Sequence, residues 1–133
     1  MKYLLDTCVI SDFIKGEANV LSRLKSEQPK DLAISSVTLM ELEYGLALNP
    51  ARAKKLSPVI KTLLGMISII PYEPKDANAT AVIRAYLKKE GKPIGPYDVM
   101  IAGCALSHQL TMVTSNTKEF NRVSGLVLED WRL

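Results

Sequence analysis

The sequence predicts an α/β protein, with a mainly parallel central sheet covered by helices on both faces in a three-layer α/β/α arrangement. Short apolar segments that resemble strands alternate with helical segments of about ten or more residues, which is the pattern that parallel strands with helical crossovers require. With 133 residues the chain has the size of one domain, and we expect a single domain over residues 1–133. Ligands of such sheets bind beyond the carboxyl ends of the strands.

The strands are expected to be short and buried, and they are predicted at residues 2–5, 32–34, 68–70, 111–114 and 126–128. Helices are predicted at residues 9–14, 20–27, 37–48, 51–64, 77–90 and 97–108. Gly16 and Gly91 follow the ends of two of these helices, and Ser35 and Ser36 offer N-caps for another. The helix over residues 37–48 is almost wholly apolar, so we expect it to be covered on more than one side, with subunit contact as one candidate cover.

The composition limits the classes of protein to be considered. No apolar run approaches the length of a membrane span, and an acid at position 6 comes too early for a signal-peptide core. We therefore expect a cytoplasmic protein with no membrane partner. Cys8 and Cys104 are expected to be buried thiols rather than part of a disulfide framework or a zinc site. The net charge of +3 is compatible with a polyanionic partner but does not establish one.

Asp6 directly follows the first predicted strand, at the edge of the sheet where sites of this fold class lie. Thr7 follows it with a hydroxyl suited to capping or to a water contact. An isolated aspartate at this position is equally well explained as the cap of the next helix. The other acids of the chain therefore decide between the two interpretations.

Glu41 lies on the helix over residues 37–48 and shares a stripe with the apolar side chains of Val37, Tyr44 and Leu48. This stripe predicts that Glu41 points inward, where a carboxylate needs a cation or strong hydrogen-bond donors. Glu43 lies about 200° around the helix from Glu41, so it is interpreted as an exposed helix charge.

Asp98 lies in the first turn of the helix over residues 97–108, on the same face as Ile101, Ala102 and Ala105. The acid is explained equally simply as a favourable charge near the helix N-terminus. The small residues of this helix also permit close packing, which would hold the carboxylate rigidly, as a metal site requires.

Three acids that meet without a counter-charge repel one another, and a divalent cation removes that repulsion. All-oxygen ligation favours Mg2+ or Mn2+, and such ions activate water for attack on a phosphodiester. The sequence lacks the residues that two other mechanisms of phosphate chemistry require. His108 is the only histidine, which excludes a two-histidine ribonuclease within one subunit, and it is expected to be a surface residue at a helix end. There is no Gly-rich phosphate-binding loop with Lys.

Four sequence blocks resemble those of VapC-type PIN domains, in the same order and over essentially the whole chain. They are L-L-D-T-C-V-I-S-D at 4–12, S-S-V-T-L-M-E-L-E-Y-G at 35–45, I-G-P-Y-D-V-M-I-A at 94–102 and V-T-S-N-T-K-E-F at 113–120. The resemblance implies a PIN-domain fold and a Mg2+-dependent endoribonuclease toxin whose RNA substrate is expected to be tRNA. Asp6, Glu41 and Asp98 match the acidic positions of the family. The resemblance also implies a homodimer. It further implies a VapB-type antitoxin whose C-terminal segment fills the active-site groove. Operator DNA is then expected to be bound only indirectly, through this antitoxin.

The last block departs from the family, which often has a further acid there. This sequence has Thr114, Ser115 and Asn116 instead, which we expect to support the site. Glu119 is the nearest acid that replaces the missing one, and it is included among the candidate catalytic residues, with an ordinary solvated charge as the alternative. Asn116 is expected to orient a water or to hydrogen-bond Asp6 or Asp98.

Two other functions are considered. A haloacid-dehalogenase-like phosphatase also begins with an aspartate after a strand, but Cys8 stands where its second aspartate is required. A PIN module that binds RNA or a partner without cutting is the non-enzymatic alternative.

Two groups of basic residues are candidates for phosphate contacts or simply solvated helix faces. These are Arg52, Lys54, Lys55 and Lys61 on one helix, and Lys88, Lys89 and Lys92 near the turn before Asp98.

Overall fold

A computed structural model describes all residues from 1 to 133 and contains one five-stranded sheet in which every pairing is parallel. The strand order is β3-β2-β1-β4-β5. In chain order, the strands are β1 (Tyr3–Leu5), β2 (Leu32–Ser35), β3 (Ser68–Ile70), β4 (Thr111–Val113) and β5 (Leu128–Glu129). The central strand is thus β1, and its carboxyl end leads directly to Asp6.

Seven α-helices connect and cover the strands. They are α1 (Thr7–Lys15), α2 (Ala18–Ser26), α3 (Ser36–Leu48), α4 (Pro50–Leu64), α5 (Pro74–Lys89), α6 (Pro96–Ser107) and α7 (Thr117–Phe120). The predicted helix-ending glycines and the predicted serine N-cap are present. Gly16 ends α1 with a φ of 77°, Gly91 has a φ of 70° just beyond α5, and the Ser35 hydroxyl accepts the Thr38 N–H at the start of α3.

Neighbouring residues of the strands point to opposite faces of the sheet, and each face has its own apolar core. Leu4 and Met112 belong to the core that α5 and α6 cover, whereas Leu5 and Val113 belong to the core that α1, α2 and α4 cover. All four side chains are completely buried. The three-layer α/β/α prediction is therefore confirmed.

The element boundaries differ from the predicted ones by up to three residues, and the largest difference is at α5, which begins at Pro74 rather than at residue 77. The last strand begins two residues later than expected, and the short helix α7 and a 3-10 turn at Pro29–Asp31 were not predicted. Each of these elements is too short to show hydrophobic periodicity. None of the helices has both the length and the apolar character needed to cross a membrane.

The expectation that α3 is covered on more than one side is not met within this chain. Only Val37, Thr38 and Leu42 of this helix are buried, whereas Tyr44 is 62% exposed and Leu48 is 67% exposed. The apolar residues of α3 therefore form an exposed surface as well as a buried one.

Close packing of α6 on α5 fixes the position of the first turn of α6. A Cβ atom added at Gly103 would collide with the Thr80 side chain and would lie 3.1 Å from the Asp76 carbonyl oxygen. Glycine is thus required at this crossing, as the small residues of the sequence indicated. The helix that carries Asp98 is consequently held closely against α5.

Candidate active site

Asp6 is the N-cap residue of α1, and its carboxylate is fixed by three neighbours. One oxygen accepts the Thr7 N–H at 2.8 Å, and the other accepts the Thr114 hydroxyl at 2.9 Å and lies 3.4 Å from the Cys8 sulfur. The residue is only 5% exposed, and this burial raises the pKa of its carboxyl group despite the hydrogen bonds. The cap and site interpretations of Asp6 are therefore compatible, because capping uses only one of the two oxygens.

Glu41 is half-buried beside the start of α1. Its Oε1 accepts the Thr7 hydroxyl at 2.7 Å, so one threonine connects the start of α1 with α3. The apolar stripe from which we predicted that Glu41 points inward is not buried as a whole, because Tyr44 and Leu48 are exposed. Glu41 is held by a polar contact, and its side chain is partly open to solvent. Glu43 is exposed, as expected.

Asp98 lies in the first turn of α6 and is also half-buried. Burial, and to a smaller extent the negative charges of Asp6, Glu119 and Glu41, together raise the pKa of this carboxyl group to about 6. Carboxylates repel measurably only over short distances in a protein. The four acids therefore occupy one region at the carboxyl edge of the sheet, although they come from four separate segments of the chain.

Glu119 is fixed at this edge by two donors. The Gly95 N–H donates to Oε1 at 3.1 Å, and the Asn116 side-chain amide donates to Oε2 at 2.7 Å. The hydrogen bond that Asn116 was expected to make with Asp6 or Asp98 is therefore made with Glu119, because residues 116 and 119 are one helical turn apart at the start of α7. The Asn116 backbone N–H donates to the Thr114 hydroxyl at 3.0 Å, which connects α7 to the Asp6 contact.

Cys8 is a neighbour of the acids that the sequence did not indicate. Its sulfur lies 3.5 Å from the Thr114 hydroxyl and 3.5 Å from the Ser115 N–H and hydroxyl. The thiol is half-buried rather than buried, and burial together with the Asp6 charge raises its pKa. It is therefore a neutral packing group beside Asp6. Ser115 supports the site through this thiol.

None of the four acids forms an ion pair with a lysine or an arginine. The charged groups that raise the pKa values of Asp6 and Asp98 are carboxylates. The same donor set, oxygen atoms of carboxylates with neutral hydroxyl neighbours, is the kind that hard divalent cations prefer. The residues present therefore fit a Mg2+ or Mn2+ ion.

A second polar group lies away from this edge, between α5 and α6, where ligand atoms of Asp76, Cys104 and His108 lie within 4.8 Å of one another. Both Asp76 oxygens already have partners: the Glu73 N–H at 2.8 Å on one, and the Ser107 hydroxyl on the other. Burial raises the pKa of the Cys104 thiol to about 12. We interpret this group as an interhelical contact. His108 is not the expected surface residue, because its side chain is 17% exposed and lies 3.3 Å from Asp76.

Comparison with known proteins agrees with this architecture. The family model described as PIN domain matches residues 3–126. The chain is 44% identical over 132 residues to the tRNA(fMet)-specific endonuclease VapC of Shigella flexneri, with 98% of each chain covered. It also resembles the structures of DNA-bound VapBC from Salmonella typhimurium (TM-score 0.91, 38% identity, 98% of each chain) and of VapBC2 from Rickettsia felis bound to a promoter DNA fragment (TM-score 0.90, 31% identity, 98% and 99%). The chain therefore belongs to the PIN-domain family and, within it, to the VapC ribonucleases.

Proposed function

We propose that this chain is a Mg2+- or Mn2+-dependent endoribonuclease toxin that hydrolyses phosphodiester bonds of tRNA. The observation that carries the proposal is the cluster of four carboxylates at the carboxyl edge of the sheet, in which the pKa of Asp98 is raised to about 6 and no acid forms an ion pair with lysine or arginine. Such a cluster is costly to maintain in a fold unless a cation occupies it.

Asp6, Glu41 and Asp98 are the proposed metal ligands. A divalent cation at this position supplies Lewis acidity for attack of water on a phosphodiester. Thr7 and Thr114 hold two of the ligands in place by donating hydroxyl hydrogens to Glu41 and Asp6. Both threonines donate one hydrogen each, so they fix the carboxylates without adding charge.

Glu119 is proposed to act next to these ligands. Its two oxygens are already held by Gly95 and Asn116, which orients the carboxylate but leaves lone pairs for a water molecule. We propose a single tightly held ion, because three carboxylates already balance a dication and water completes its coordination. Asn116 then acts by orienting Glu119.

Initiator tRNA is the proposed substrate, since the relative from Shigella flexneri carries tRNA(fMet) in its name. A VapB-type antitoxin is the proposed inhibitor, supported by the VapBC complexes among the related structures. Contact with DNA is proposed to occur only through that antitoxin. A homodimer that uses the exposed apolar residues of α3 completes the proposal, and light scattering that finds only a monomer at high concentration would exclude it.

Cleavage of a tRNA(fMet) transcript in Mg2+, compared with EDTA, tests the proposal. We expect cleavage only with the metal, and we expect Asp6→Asn, Glu41→Gln and Asp98→Asn each to abolish it while the folded state persists. Glu43→Gln is the matched control, since Glu43 is an exposed acid two residues from Glu41 on the same helix. An unmodified chain that binds the transcript but leaves it intact at every Mg2+ and Mn2+ concentration would support the non-catalytic PIN module instead.

A further inference from the structure

We propose that the groove between α1, α3 and α4, called the α4 groove below, binds the RNA strand on one side of the cleaved bond, and that Arg52 contacts a phosphate there. The inference rests on the proposed ribonuclease function and adds a binding surface to it. The groove is a cavity of about 170 Å3, lined by Thr7 and Glu41 at the site and by Gly45, Asn49 and Arg52 farther along.

The α4 groove is continuous with the candidate active site. Thr7 and Glu41, which hydrogen-bond to each other at 2.7 Å, belong both to the carboxylate cluster and to the wall of the cavity. A strand whose phosphodiester lies at the acids must leave the site on some side. This groove offers an open path that begins at a proposed metal ligand.

Two exposed side-chain donors of the groove, the Arg52 guanidinium and the Asn49 amide, make no hydrogen bond within the protein. The four ion pairs of the structure do not include Arg52, and only the backbone N–H of this residue is used, in a 3.1 Å hydrogen bond to the Asn49 side-chain oxygen. That bond leaves the Asn49 amide NH2 free to donate. Guanidinium and amide donors are the groups that proteins use to contact phosphate oxygens.

The charge of α4 favours a polyanion over an acidic or apolar partner segment. This helix has four basic residues and no acidic one in fifteen positions. Of these four, only Arg52 lines the cavity that begins at Glu41. A nucleic-acid strand supplies the complementary charge at regular spacing.

Gly45 keeps the α4 groove open beside α3. This glycine lies inside the helix, where it lowers helix stability relative to alanine, and a Cβ atom added to it would meet nothing within 4 Å. The fold itself therefore does not require glycine at position 45. The space beside it is open to a strand that lies against the helix.

Steady-state cleavage of the tRNA(fMet) transcript in Mg2+ at several KCl concentrations tests the proposal. We expect Arg52→Ala to raise KM about three- to tenfold with little change in kcat, and to reduce the slope of log affinity against log salt by about 0.7, the value for one phosphate contact of a single strand. Arg52→Lys should recover part of the loss, because it keeps the charge but not the two-pronged geometry. Lys30→Ala is the control, since Lys30 precedes β2 at the opposite edge of the sheet and is exposed.

Gly45→Leu tests the groove without changing charge. We expect this variant to melt at a temperature at least as high as that of the unmodified chain and to bind the transcript more weakly in EDTA, because its side chain enters the groove. Equal KM values and salt slopes for Arg52→Ala and Lys30→Ala would overturn the proposal while cleavage by the unmodified chain upholds the proposed function. Loss of antitoxin inhibition with an unchanged KM would also overturn it, by assigning the groove to the antitoxin. Absence of cleavage by the unmodified chain would overturn both.

Discussion

Replacing Asp98 by Asn removes the acid whose pKa in the folded state is about 6, compared with 3.8 for an ordinary aspartate. The raised value means that the folded chain holds a proton on this carboxyl group more tightly than the unfolded chain does. Between pH 3.8 and about 6 the folded state therefore binds more protons, and the free energy of unfolding falls as the pH rises through this window. Above pH 6 the full cost of the charged Asp98 is present.

The size of this cost follows from the two pKa values. Each pH unit between them is worth about 1.4 kcal/mol, which gives an upper limit of about 3 kcal/mol. Because Asp98 is half-buried, solvent screens part of the repulsion, and we expect about 1 to 2 kcal/mol at pH 7. For a chain of this length, Asp98→Asn should then raise the Tm in EDTA by roughly 4 to 8 °C.

Thermal melts in EDTA at pH values from 4 to 8 measure the effect. The Tm difference between Asp98→Asn and the unmodified chain should be small at pH 4 and reach its maximum above pH 6, whereas Glu43→Gln should show no such trend. Saturating Mg2+ should reverse the order, because a ligand at 100 times its Kd adds about 2.7 kcal/mol to the chain that binds it. A Tm of Asp98→Asn that is below that of the unmodified chain in EDTA at pH 7 would refute the repulsion argument.

Two further predictions concern packing and the neighbours of the site. Gly103→Ala should lower the free energy of unfolding by about 1 to 3 kcal/mol in urea titrations, because the added Cβ meets Thr80. Gly45→Ala should raise it by about 0.5 to 1 kcal/mol, because the Cβ at position 45 meets nothing and alanine favours the helix. Equal effects of the two substitutions would contradict the packing argument. Asn116→Ala should weaken the apparent Mg2+ affinity in cleavage assays by less than the tenfold to hundredfold typical of partners of metal ligands, because its side-chain amide contacts Glu119 and none of the three proposed ligands, and Glu119→Gln should retain activity at saturating Mg2+. If Glu119→Gln instead loses as much activity as a metal-ligand variant does, two ions rather than one are required.

The sheet and its main helices were predictable because each has a strong local pattern. The strand from Ser68 to Ile70 was predicted at its observed bounds, and the apolar strand before Asp6 was within one residue. Helix ends were placed by glycine and serine chemistry, which acts over a few residues. The short elements Thr117–Phe120 and Leu128–Glu129 depend on contacts with distant parts of the chain, and such contacts leave no periodic pattern in the sequence.

The C-terminal segment shows how tertiary contacts escape prediction. Trp131 is 3% exposed and packs edge-on against Tyr3 with 5.2 Å between the ring centroids. Arg132 donates two hydrogen bonds of 2.7 Å to the buried carboxylate of Asp12. The partners are more than a hundred residues apart in the chain, and neither pair forms part of an amphipathic pattern. Only the folded structure brings them together.

That the candidate acids lie in one region was predictable from the sequence, but their hydrogen bonds were not. Asp6 and Asp98 were located from their places at the boundaries of a strand and a helix, which the fold class makes informative. Glu41 was located from an apolar stripe that turned out to be exposed, and its actual partner is the Thr7 hydroxyl. Which neutral group pairs with which carboxylate depends on distances of a few tenths of an ångström, and residue spacing does not determine these.

The neutral character of those partners is itself informative about the site. Hydroxyl groups of Thr7 and Thr114, the amide of Asn116 and the N–H of Gly95 orient the carboxylates, whereas lysine and arginine are absent from these contacts. A basic side chain would relieve the same repulsion, but it would also occupy the carboxylate oxygens and compete with a metal ion for them. Neutral donors fix the geometry and leave the negative charge uncompensated. The raised pKa of Asp98 follows from its burial and from the nearby charges of Asp6, Glu119 and Glu41, which no basic side chain neutralises in an ion pair.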